Sequence, residues 1–165
     1  MNRKARVFDV ESNFQRKAKQ PGGMTRAKAI AHAQAKIDQG QPEFTKWLGG
    51  ELKVLKDAIQ RAEENSADSS TIDQALYHCR QLRDVGSTMG FDLVTFVADN
   101  LCDILEAIRT GARYDKEMVG CHLAALALAT QKKYQHMRPD QVPELSSGLR
   151  GVFKKLQSVT ARDAN

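Results

Sequence analysis

Residues 70–110, STIDQALYHCRQLRDVGSTMGFDLVTFVADNLCDILEAIRT, decide the fold. Ile72, Ala75, Leu76, Cys79, Leu82 and Gly86 recur at steps of three and four, which puts them on one face of a helix. Ser70 with Asp73 three residues on reads as its start, because side-chain oxygens there take up free backbone donors. Gly90 suits a left-handed stop, and Asp92 is positioned to cap the next helix. That helix carries Val94, Val97, Ala98, Leu101, Ile104, Leu105 and Ile108 on one stripe. Neither helix buries its stripe alone, so the pair implies a helical hairpin inside a bundle.

The rest of the chain repeats this pattern. Phe44, Trp47, Leu48, Leu52, Leu55, Ile59 and Ala62 predict a helix from about 43 to 65. The segment from about 115 to 137 is expected to be helical with Asp115 as its cap. Its middle, GCHLAALALAT, is apolar almost all round and is expected to lie deep between neighbours. Pro139 and Pro143 mark a turn, after which Leu145, Leu149, Val152, Phe153, Leu156 and Val159 predict a last helix to about 160. Upstream, Thr25 caps a short Ala-rich helix expected to stop at Gly40-Gln41-Pro42. No segment shows strand alternation. The expectation is all-α: an antiparallel four- to five-helix bundle over 43–163, a short extra helix over 24–41, and a basic arm over 1–23.

Charge separates these parts. Residues 1–42 hold nine Lys/Arg against three Asp/Glu, a net of +6, whereas 43–165 hold sixteen against seventeen, a net of −1. The arm, with Phe8 and Phe14 available for stacking, is the feature that a nucleic-acid-binding reading would use. Against that, the bundle is neutral and carries no base-reading motif, so nucleic acid is not the expected partner. No run approaches the roughly 18 apolar residues of a membrane span. The basic start lacks the apolar run of a secretory signal, so a cytoplasmic location with reduced Cys79, Cys102 and Cys121 is expected.

The chemistry of common cofactor sites is absent from the sequence. There is no phosphate-binding Gly loop, nucleophile elbow or dinucleotide fingerprint. The pairs His78-Cys79 and Cys121-His122 do not have metal-ligand spacing, since helical neighbours point about 100° apart. Neither a metal nor a cofactor is expected. Cys79 reads as a small buried hydrophobe and His122 as a satisfied core histidine. Phe96 points off its helix's stripe toward Asp99 and Asp103. It is a possible seat for the basic N-terminal segment, in cis or from a second subunit, with routine packing under the 24–39 helix as the alternative. A homodimer is compatible with that arrangement.

Leu82, Arg83, Gly86, Gly90 and Phe91, followed by the apolar run from Leu93 to Leu101, resemble the signature of histidine-containing phosphotransfer (HPt) domains, roughly H-x-L-K-G-x-A-x-x-x-G-F/L. In that family an exposed His on a helical bundle exchanges a phosphoryl group with an aspartate on a receiver domain. By spacing, Leu82 meets the family's Leu, Arg83 its Lys, Gly86 its small Ala, and Gly90 with Phe91 the closing pair. Two positions depart from the pattern. Arg80 stands at the phosphoacceptor position, and a guanidinium has no lone pair for attack on phosphorus. Asp84 replaces a Gly that lets the receiver's acidic pocket approach.

The resemblance therefore implies a non-catalytic HPt-like adaptor in a bacterial two-component system, with a receiver domain as partner. Its surface would be Arg80, Arg83, Asp84 and Ser87, with Arg80 and Asp84 expected to pair across one turn. The alternative is true phosphotransfer through His78, two residues earlier and about 200° around the helix from Arg80, or less favourably through His122.

Overall fold

The computed structural model describes residues 12–18, 22–65 and 68–152. Every regular element among them is helical. By contacts the chain divides into two units, 1–39 and 40–165.

The first unit holds a short helix, α1 (Asn13–Ala18), and the opening turns of α2 (Arg26–Glu64). Met24 and Ile30 are exposed there. Phe8 of the basic arm lies outside the described residues, as does the side chain of Phe14.

The expected stop at Gly40-Gln41-Pro42 does not occur, because α2 runs through both Gly40 and Pro42. A proline inside a helix frees the carbonyl four residues back, here that of Asp38. Asp38 and Pro42 are both exposed, so water can satisfy that carbonyl at small cost. Thr45 Oγ1 donates to the Gln41 carbonyl at 2.9 Å in the same turn.

The second unit is the bundle. The later part of α2 buries Phe44, Leu48, Leu52, Leu55, Ile59 and Ala62 as its stripe requires. Trp47 departs from the expectation: it is exposed, with its ring tilted against Phe44 at 5.3 Å. The next helix, α3 (Ser69–Gly86), starts one residue before the expected Ser70. Asp68 is the cap, its carboxylate accepting from the Ser70 backbone N–H. All six stripe residues of α3 and all seven of α4 (Asp92–Arg109) are buried. Between them, Ser87–Met89 tightens into a 3-10 turn and Gly90 takes the left-handed φ of 80°. Phe91 rather than Asp92 holds the cap position of α4, and Asp92 lies in the first turn.

Asp115 caps α5 (Lys116–Ala129) as expected, accepting from the Met118 N–H at 3.0 Å. That helix ends at Ala129, well short of 137, and gives way to a 3-10 turn at Lys132–Tyr134. Its middle is not enclosed on all sides, since Gly120, Cys121 and Ala124 are exposed. A one-sided apolar helix and one that is apolar all round differ little in sequence when its outer face is Gly and Ala. A third 3-10 turn, Pro139–Gln141, precedes α6 (143–152), which sends Leu149 into the core. Phe153, Leu156 and Val159 lie outside the described residues. No helix among the described residues is long and apolar enough to cross a membrane.

Core burial extends to one histidine. His122 has no exposed surface, and its Nδ1 contacts the Met118 carbonyl at 2.9 Å. Its Nε2 has no partner, so only half of the expected satisfaction is met. Burial pulls its pKa below the ordinary imidazole value, with the Met118 contact opposing. A base with a lowered folded pKa contributes stability above its unfolded pKa, about 6.5, and loses it as pH falls through that value. His122→Leu is expected to flatten the acid side of the stability curve by up to about 1.4 kcal/mol per pH unit. Urea unfolding of both proteins between pH 8 and pH 5 measures this, and parallel curves would refute it.

Candidate functional site

The middle of α3 gathers the residues the sequence singled out. Leu82, Gly86 and Phe91 are buried and Gly90 is half-buried, so the matched positions form the inner frame of the hairpin turn. Phe91 N–H donates to the Gly86 carbonyl at 2.9 Å, and its ring lies 5.5 Å from that of Phe44. Thr95 locks the turn. Its Oγ1 accepts from the Ser87 N–H at 2.8 Å and donates to the Arg83 carbonyl at 3.0 Å. Gly90 also faces the ring of His136, and the His136 backbone N–H donates to the Gly90 carbonyl at 2.8 Å.

On the outer side, the structure brings Arg83, Asp84 and Ser87 to one end of α3 with Arg80 one turn earlier. Arg80 is 45% exposed. The expected Arg80–Asp84 pair does not form. Arg80 instead donates through Nη2 to Glu106 Oε1 on α4, and Asp84 accepts from Arg83 Nε at 2.8 Å. Two forces decide this. The Arg83 fork already holds Asp84, raising its own pKa further through that hydrogen bond, and Glu106 offers Arg80 a less exposed partner across the hairpin. The second oxygen of Glu106 takes Arg109, at 2.6 Å from Nη2 and 2.9 Å from Nε. Arg109 in turn lies 3.8 Å from Asp73. Four charges thus stitch α3 to α4.

His78 faces elsewhere, toward α2. Its Nδ1 lies 2.7 Å from Glu51 Oε1, and the Tyr77 ring stands edge-on to it at 5.1 Å. A carboxylate on Nδ1 selects the tautomer with its proton there, leaving the lone pair on Nε2. The His78 side chain is 23% exposed.

Cys79 lies between these two faces, buried, with its thiol donating to the Ala98 carbonyl at 3.2 Å. The adjacent Cys102 thiol and burial push its pKa well above the ordinary thiol range. It is an unreactive core residue, as expected. Cys102 is buried beside it, and Cys121 is exposed on α5. No three His, Cys, Asp or Glu side chains among the described residues are grouped as metal ligands would be.

Beside Ser87 runs an open groove of about 540 Å³, lined by Asp92, Thr95, Phe96, Arg138, Pro139 and Asp140. Phe96 is half-buried here, and the cation over its ring is Arg150, at 5.3 Å from the centroid. Asp103, near Asp99 on the same helix, is raised by partial burial and by that neighbour's charge.

Sequence reasoning identified Arg80, Arg83, Asp84, Ser87 and His78 but not Glu51, Glu106, Arg109 or Thr95. Those four act across helix pairs, and no periodicity within one helix marks them. No family model matches the chain, and neither a curated protein nor a solved structure matches it.

Proposed function

We propose that this chain is a non-catalytic, HPt-like adaptor of a bacterial two-component system, which holds a receiver-type protein on the Arg80 face of α3. The observation that carries this reading is Arg80 itself. At the position where the resembled family has its phosphoacceptor, the side chain is a guanidinium, 45% exposed. A guanidinium there can form charge-assisted hydrogen bonds to a receiver's acidic pocket and transfers nothing. Arg83, half-buried one turn on, adds a second positive charge, and the exposed Asp84 discriminates among pockets by repulsion.

Calorimetric titration of receiver domains against the wild type and Arg83→Glu tests the surface. Charge reversal is expected to weaken binding about tenfold or more, about 1.4 kcal/mol. Equal affinities would remove the proposed face.

A second reading, true phosphotransfer through His78, is favoured by one observation. With its proton on Nδ1 toward Glu51, the imidazole keeps the Nε2 lone pair that a nucleophile requires, on a side chain 23% exposed. Incubation with a small phosphodonor, followed by mass spectrometry under non-acidic conditions, separates the two. A label on His78 that disappears in His78→Gln supports transfer, and an unlabelled chain leaves the adaptor reading in place.

A further inference from the structure

We propose that Glu106 is a releasable seat for the Arg80 guanidinium, and that Arg109 keeps this carboxylate neutralised when an oxyanion on a partner draws Arg80 away. The division of the carboxylate is what suggests it. Oε1 receives Arg80 alone, while Oε2 receives two nitrogens of Arg109. Departure of Arg80 therefore breaks one contact and leaves Glu106 with its hydrogen bond from Arg109 Nε and the Nη2 ion-pair contact. A carboxylate held by Arg80 alone would have only water to replace that contact, Glu106 being 33% exposed, so Arg109 lowers the cost of the movement without being indispensable to it. Asp73 of α3, 3.8 Å from Arg109 Nη1, is a second carboxylate beside that guanidinium. Arg80 is nearly half exposed, so its swing toward a partner crosses no packed core.

Glu106 and Arg109 are positioning residues in this scheme and touch no partner. They set how much of Arg80's charge is available, and they do so in opposite directions. Glu106→Gln weakens the seat and frees Arg80. Arg109→Ala gives Glu106 wholly to Arg80 and ties it down. A merely structural role would move both variants the same way, toward a looser hairpin. The partner half of the proposal rests on the receiver-binding reading, whereas the seat itself does not.

Two measurements keep those halves apart. The first is the rate at which phenylglyoxal modifies Arg80, read by mass spectrometry on the full chain. Pairs this exposed are worth little, so the expected changes are modest. Glu106→Gln is expected to react about two- to fivefold faster than the wild type and Arg109→Ala about twofold slower. Adding Arg109→Ala to Glu106→Gln is expected to change nothing further. Equal rates in all proteins, or a rise in both single variants, would overturn the seat. The second measurement is receiver affinity, expected to rise in Glu106→Gln and fall in Arg109→Ala by similar factors. Labelling that shifts while affinity stays constant would overturn the partner half alone.

Discussion

Phe91→Ala is expected to destabilise the bundle by about 3–5 kcal/mol, the largest single loss among the residues of the hairpin turn. Phe91 is 2% exposed and is the bulkiest of the fully buried side chains. It occupies the cap position of α4 and lies against Phe44 of α2, so one ring joins the turn to a third helix. Truncation removes that contact and leaves a cavity beside a backbone already committed to α3 by the Phe91-to-Gly86 hydrogen bond. The wall cannot collapse to fill it. Phe91→Leu keeps most of the volume and is expected to cost under about 1.5 kcal/mol. Urea unfolding followed by circular dichroism measures both. A loss below 1 kcal/mol for the alanine variant would show that the ring is not a keystone of the turn.

The helices were legible wherever one face was apolar and the other charged. The stripes of α3 and α4 and most of that of α2 are buried residue for residue, and Gly90 carries the left-handed φ its position demands. Legibility failed where a local rule met a solvent-exposed exception. Pro42 and Gly40 both argue for a helix end, yet an exposed turn tolerates a freed carbonyl, and α2 continues. Trp47 fits the α2 stripe by spacing but lies at its flank, where its area is only partly covered. The outer face of α5 carries too little polarity to be told from its core face.

The candidate site divides in the same way. The residues on α3 could be named from sequence, but their partners could not, because partnership depends on the register between helices. That register is regular once the turn is known. Gly86 meets Thr95, Cys79 meets Cys102, and Arg109 approaches Asp73, with steps of six to seven residues along each helix. The Arg80–Asp84 expectation failed for this reason. It used the one neighbour that sequence can supply, and the hairpin supplied a better one in Glu106.

That register depends on Gly86, and its replacement is the second large effect expected. Gly86 has ordinary right-handed angles, φ −53° and ψ −56°, so its backbone makes no demand for glycine. By helix propensity alone, Gly86→Ala would stabilise by about 1 kcal/mol. The hairpin reverses that sign. A Cβ at position 86 would stand 2.5 Å from Thr95 Oγ1 and 3.1 Å from both Phe91 O and Thr95 N. The first clash could be relieved by moving a side chain, but the other two are with backbone. Overpacking of this kind costs about 1–3 kcal/mol, enough to outweigh the propensity gain. Gly86→Ala is therefore expected to be net destabilising and Gly86→Val to cost about 3 kcal/mol or more. In a Thr95→Ala background, which removes the nearest atom but also the Ser87 and Arg83 hydrogen bonds, the added cost of Gly86→Ala is expected to shrink without vanishing. Because Arg83 and Ser87 flank this contact, the same substitution should displace both by shifting α3 against α4, with every charged side chain intact. A stabilising Gly86→Ala would mean that the two helices do not approach this closely, and the close approach is what sets Arg80 within reach of Glu106.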